Sequence, residues 1–96
     1  MSIAETRGGA PEIFRADIDT GGLYHFLKAT SKWICIRVKT NTCRVFFTKE
    51  DFDNDINYIE IVADDCWKGP IETNKIWFKG VGGASSIELV VARRLN

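Results

Sequence analysis

Asp51, Asp53 and Asp55, followed by Asn57, place oxygen ligands at alternate positions, the spacing of the front half of a calcium loop. The pattern stops there. Its sixth position is Ile56 rather than the glycine that the turn needs, and its twelfth is Val62, where a bidentate glutamate belongs. The segment reads as a solvated acidic loop. Nucleophilic catalysis needs a serine or cysteine within reach of a base, and the single histidine, His25, has no sequence neighbour that would orient it. Cys35, Cys43 and Cys66 lack C-x-x-C spacing, and an odd count fits small apolar fillers in a reducing compartment better than a disulfide framework. With one histidine they spell no zinc set. Gly80-Val81-Gly82-Gly83 could pass for a phosphate cradle, but such a loop opens a helix and the residues after it alternate as a strand. Paired carboxylates of the glycosidase kind meet only in three dimensions and stay open at this level, although so short a chain leaves little room for a deep cleft. No catalytic set, metal site or cofactor site is assembled, so binding is expected rather than catalysis.

The aromatic residues are less ordinary. Trp33, Tyr58 and Trp77 each fall on the outward phase of a strand whose alternate residues are aliphatic. Either a second layer or a long loop covers them, or they form a contact surface for another subunit or for a sugar. The charges are segregated too. Residues 28–49 carry Lys28, Lys32, Arg37, Lys39, Arg44 and Lys49 with no acid, and residues 50–65 carry seven acids with no base. The two blocks either neutralise one another inside one domain or stack copies head to tail. The total of 13 basic and 13 acidic residues argues against a general nucleic-acid binder, which needs a net positive field.

These residues must be positioned by a single small domain. With 45% hydrophobic and 27% charged residues, the 96-residue chain has the composition of a soluble globular protein with a modest core. No apolar run approaches a membrane span, and residues 1–11 lack the apolar stretch of a secretory signal. Those eleven residues, with Gly8, Gly9 and Pro11 and one large aliphatic residue, Ile3, read as an extended arm preceding a domain over 12–96. Within the domain, residues 12–18 alternate as a first strand. Leu23, Phe26 and Leu27 have helical spacing, yet the same segment serves as a strand, the reading preferred in an otherwise β sequence. Residues 33–39 give the clearest alternation, with Ile34, Ile36 and Val38 inward. Thr40-Asn41-Thr42 reads as a hairpin loop, residues 43–48 as its returning strand and residues 50–57 as the acidic loop. Strands follow over 58–63, 75–79 and 86–93, with a short extended piece at 66–68 and a glycine turn at 80–83. Seven or eight short strands with regular turn signals predict an all-β fold, an antiparallel β-sandwich or jelly-roll-like domain.

Three strings, Asn57-Tyr58-Ile59-Glu60, the run from Lys75 through Trp77 to Gly80, and the closing run from Ile87 to Arg94, resemble small β-sandwich accessory proteins of tailed-phage virions, the decoration, cement and head-fibre proteins. The resemblance covers residues 32–94. It implies a non-enzymatic structural protein of the virion, made in the host cytoplasm, that self-associates and binds a capsid or other virion protein through its arm, with no direct nucleic-acid contact and no membrane. The expected protein interface is Ile3, Trp33, Tyr58 and Trp77. The alternatives are a carbohydrate-binding module using the same aromatics and a small enzyme subunit.

Overall fold

A computed structural model describes residues 11–28 and 30–92, so most of the expected arm, Ile3 included, lies outside the described residues. The sheet is antiparallel, as the alternation predicts. Its strands are β1 (Glu12–Ile18), β2 (Leu23–Phe26), β3 (Trp33–Phe46), β4 (Ile59–Ile61), β5 (Cys66–Gly69) and β6 (Lys75–Ala92), with one short helix, α1 (Lys49–Asn54). The ambiguous segment at Leu23 is therefore strand.

Among the described residues six strands stand where seven or eight short ones were expected, because β3 and β6 each join two of them. β3 runs 14 residues through Thr40-Asn41-Thr42, and β6 runs 18 residues through the glycine cluster. The turn residues make bulges instead of reversals. Register between β3 and β6 shifts between Val38 and Thr40 and again between Thr40 and Thr42, and Asn41, Gly82 and Gly83 take φ values of 56°, 78° and 144°. Side chains close the irregular stretch: Asn41 Nδ2 donates to the Ala84 carbonyl at 2.6 Å, and Ser85 Oγ to the Thr40 carbonyl at 2.9 Å. The bulges change the inward phase by one residue. Ile34, Ile36 and Val38 give way to Cys43 and Val45 along β3, and Ile76 and Phe78 to Ile87, Leu89 and Val91 along β6.

Each end of the β3–β6 ribbon carries two flanking strands. β1 lies on the C-terminal part of β6 and β5 on the N-terminal part of β3, while β2 and β4 lie at the other end. Inward residues from both ends form a single core cluster. The fold is thus one six-stranded sheet curled over its own apolar face.

The acidic segment is corrected from loop to helix. Thr48 is its N-cap, its hydroxyl accepting from the Asp51 amide at 3.1 Å, and Glu50 and Asp51 sit in the first turn, where backbone N–H groups favour acids. Asp55 ends it in the left-handed conformation. Phe52 packs edge-on to Phe46, with ring centroids 5.5 Å apart, so the helix builds a second apolar layer on the outer face of the sheet.

All three cysteines are free thiols: Cys43 buried, Cys35 half-buried and Cys66 exposed. Burial pushes the Cys43 thiol up from 9.0 to about 11. In the folded protein a thiol-specific reagent is expected to modify Cys66 rapidly and Cys43 only on unfolding. Because the folded state holds the Cys43 proton more tightly than the unfolded chain, stability from this group is complete below pH 9 and is lost as pH rises from 9 to about 11. Urea midpoints across that window check the sign. A Cys43→Ala variant should lose that part of the alkaline slope.

Candidate functional site

On the outer face of the β2 end, paired positions bring aromatic side chains together. Tyr24 is opposite Trp77, and Phe26 is opposite Lys75. The Tyr24 and Trp77 rings are tilted at 36° with centroids 6.4 Å apart, and Tyr24 meets Phe26 edge-on at 5.3 Å. Lys75 Nζ stands 5.5 Å from the Phe26 ring centroid. Across from them Phe47 and Thr48 lead into α1, leaving a groove of about 590 Å³ between the helix and the β2 edge. That volume is within the range of small-molecule sites.

The remaining wall is the segment before β6, and buried polar groups fix it. Ser31, fully buried, donates to the Ile71 carbonyl at 2.5 Å and accepts from the Thr73 amide at 3.1 Å. Thr73 Oγ1 in turn donates to the Lys75 carbonyl at 2.9 Å, and the Leu27 amide donates to the Asn74 carbonyl at 2.9 Å, tying the segment to the end of β2. The groove is therefore held from behind. Its floor ring, Trp77, is 9% exposed, while Tyr24 and Phe26 are 56% and 55% exposed along its rim. The lining contains Lys49 and Lys75 and no carboxylate.

β2 is also anchored from its inner face. Glu12 of β1, 8% exposed, receives His25 Nε2 at 2.8 Å on one carboxylate oxygen and the Lys28 amide at 2.9 Å on the other. Phe14 stacks on the imidazole at 3.9 Å and 16°. His25 is thus oriented by residues from another strand, a relation that sequence proximity did not reveal. Glu12 shares the inward phase of Phe14, Ala16 and Ile18, and a carboxylate on an inward phase is a signal that a polar partner faces it.

Of the residues expected at a protein interface, Trp33, Tyr58 and Trp77 stand apart from one another. Trp77 keeps its outward phase but is only 9% exposed, on the groove floor beside Tyr24. Tyr58 is 36% exposed, with the Arg44 guanidinium 4.4 Å above its ring and Phe46 beside it at 5.5 Å. Trp33, half-buried, pairs with Ala92 at the opposite end of the ribbon from Trp77. Ile3 lies outside the described residues. The carboxylates once weighed as calcium ligands face cations and an amide: Asp53 accepts from Lys49 at 2.7 Å, Asp55 from Arg44 at 2.7 Å, and Asp51 from Asn57 at 3.1 Å. Arg44 to Asp55 and Glu60 is a pairing of the basic with the acidic block inside the domain. On the face of the other ribbon end, Arg15 donates to Glu88 at 2.6 Å and holds its carboxyl below the usual carboxylate range.

No protein-family model matches the chain, and no curated protein matches it. Among solved structures it superposes on the crystal structure of an HTH_3 family transcriptional regulator from Vibrio cholerae, with a TM-score of 0.65 and 18% identity, over 99% of this chain and 48% of that one. The chain spans about half the length of that protein, and at this identity the likeness is one of fold. Among the described residues the one helix has six residues, so what is shared is β structure. The likeness is to a transcriptional regulator and not to a virion protein, which corrects the resemblance to phage accessory proteins together with the capsid role, the capsid partner and the exclusion of nucleic acid.

Proposed function

We propose that this chain is a non-enzymatic ligand-binding module, acting as the sensing β part of a transcriptional regulator. The observation that carries the reading is the aromatic groove: a floor and rim of three rings, a wall braced by the buried Ser31, and a volume suited to a small molecule. The likeness to half of a regulator supports the regulatory setting. The described residues are mostly strand with one helix of six residues, and the reading places the ligand in the groove beside that helix. The absence of catalysis is part of the proposal. It is supported by the position of His25, whose Nε2 is engaged by a buried carboxylate on the inner face.

A thermal-shift screen of small fragments tests it. At about 100 times its Kd a ligand adds about 2.7 kcal/mol, which for a domain of this size corresponds to a rise in Tm of roughly 10 °C or more. Hits should lose most of that shift in Tyr24→Ala, whose side chain is a rim ring and not core. Hits that shift wild type and Tyr24→Ala equally would place binding elsewhere.

A further inference from the structure

We infer that the groove takes a small aromatic carboxylate, its ring against Tyr24, Phe26 and Trp77 and its carboxylate on the Lys75 ammonium. This deepens the ligand-binding reading and rests on it. The ring requirement follows from the geometry of the rim. Tyr24 and Phe26 meet at 89° and 5.3 Å, so an entering flat ligand that lies along the face of one ring meets the edge of the other, both favourable aromatic geometries. The charge requirement follows from the lining, which holds two ammonium groups and no acid. The two are not equivalent. Lys49 Nζ is engaged by Asp53 at 2.7 Å, whereas among the described residues Lys75 has only the face of Phe26, at 5.5 Å. One unneutralised ammonium at the rim of an apolar floor selects a monoanion attached to a ring.

The same count separates this ligand from nucleic acid. Binding a strand depends on neutralising several phosphates, and phosphate recognition favours arginine forks. The groove lining offers no arginine and one ammonium that has no acidic partner among the described residues. The Thr48 hydroxyl, an acceptor in its cap on α1, lines the groove too and has a proton to donate to a polar end of the ligand.

The probes are phenylacetate, its neutral amide phenylacetamide, the saturated acid cyclohexylacetate, and adenosine monophosphate, each titrated into the full chain with amide chemical shifts and tryptophan fluorescence as readouts. Phenylacetate is expected to bind at least about tenfold more tightly than the amide or the saturated acid, with shifts centred on Tyr24, Phe26 and residues 73–77. Lys75→Gln should lower phenylacetate affinity about tenfold and leave the amide unchanged, and raising salt should act in the same direction. Equal binding of acid and amide, or tighter binding of cyclohexylacetate or of the nucleotide, would overturn the carboxylate assignment while leaving the groove a ligand site. If neither these probes nor any screened fragment perturbs the groove residues in a folded protein, the ligand-binding reading falls with it. Circular dichroism of Lys75→Gln, an exposed position, verifies that the fold is intact.

Discussion

Gly80→Ala is expected to destabilise the domain by about 3 kcal/mol or more, the upper end of the cost of overpacking. A Cβ added at Gly80 would stand 2.5 Å from the Ile18 carbonyl oxygen and 2.7 Å from that of Gly83. Both are backbone atoms, so no rotamer change relieves the clash. The Gly80 amide also donates to the Asp19 carbonyl at 3.0 Å, which locks the β1–β2 turn against β6 at that point. For a domain of this size the loss corresponds to a fall in Tm of roughly 12 °C or more. Gly82→Asn is the informative control. Gly82 has φ of 78° and open space where a Cβ would stand, so an asparagine, which tolerates the left-handed region, should cost far less. Thermal melts of the two variants side by side test the argument, and a Gly80→Ala protein melting within two or three degrees of wild type would refute it.

The second large effect is expected at Phe78. Its side chain is fully buried in the core cluster, opposite Val45 of β3, and 6.4 Å from the Phe14 ring that stacks on His25. Phe78→Ala removes the packing of a whole ring and leaves a cavity, a change that costs about 3–5 kcal/mol in well-packed interiors. Small domains are stable by about 5–15 kcal/mol in all, so a large part of the margin disappears. Urea denaturation should show a lower midpoint, and Phe78→Leu, which keeps most of the apolar volume, should recover more than half of the loss. A Phe78→Ala midpoint close to wild type would show that the ring is not packed as described.

Much of this core was legible from alternation alone. Ile34, Ile36 and Val38, Ile76 and Phe78, and Ile87, Leu89 and Val91 all point inward as the period-2 pattern predicts. What period 2 could not give is continuity. Asn41 and the glycines at 80–83 are residues that reverse a chain or bulge it with equal ease, and only the partner strand decides between them. The acidic segment was misread for a related reason: its composition is that of a loop, while Thr48 three residues before Asp51 is a capping signal that composition hides. The candidate site was the least legible part. Trp77 stands out in the sequence, but the rings that make its groove, Tyr24 and Phe26, lie some fifty residues away in a segment whose spacing fits helix as well as strand. The Glu12–His25 pair spans two strands and has no local signature.

The place of β6 in the sheet has a consequence for how the protein is made. β1, β2 and β3 all pair with β6, and β6 is the last of the described strands in chain order. On a ribosome, β1 and β2 emerge without the neighbour that satisfies their backbone groups, β3 finds only β4 and β5 along one edge, and the apolar faces of all three wait for β6. Nearly all the pairing is between segments distant in sequence, which places folding in the slow, non-local class. The nascent chain therefore passes through an interval in which chaperones that hold extended apolar strands have something to grip, and that interval closes only when β6 arrives.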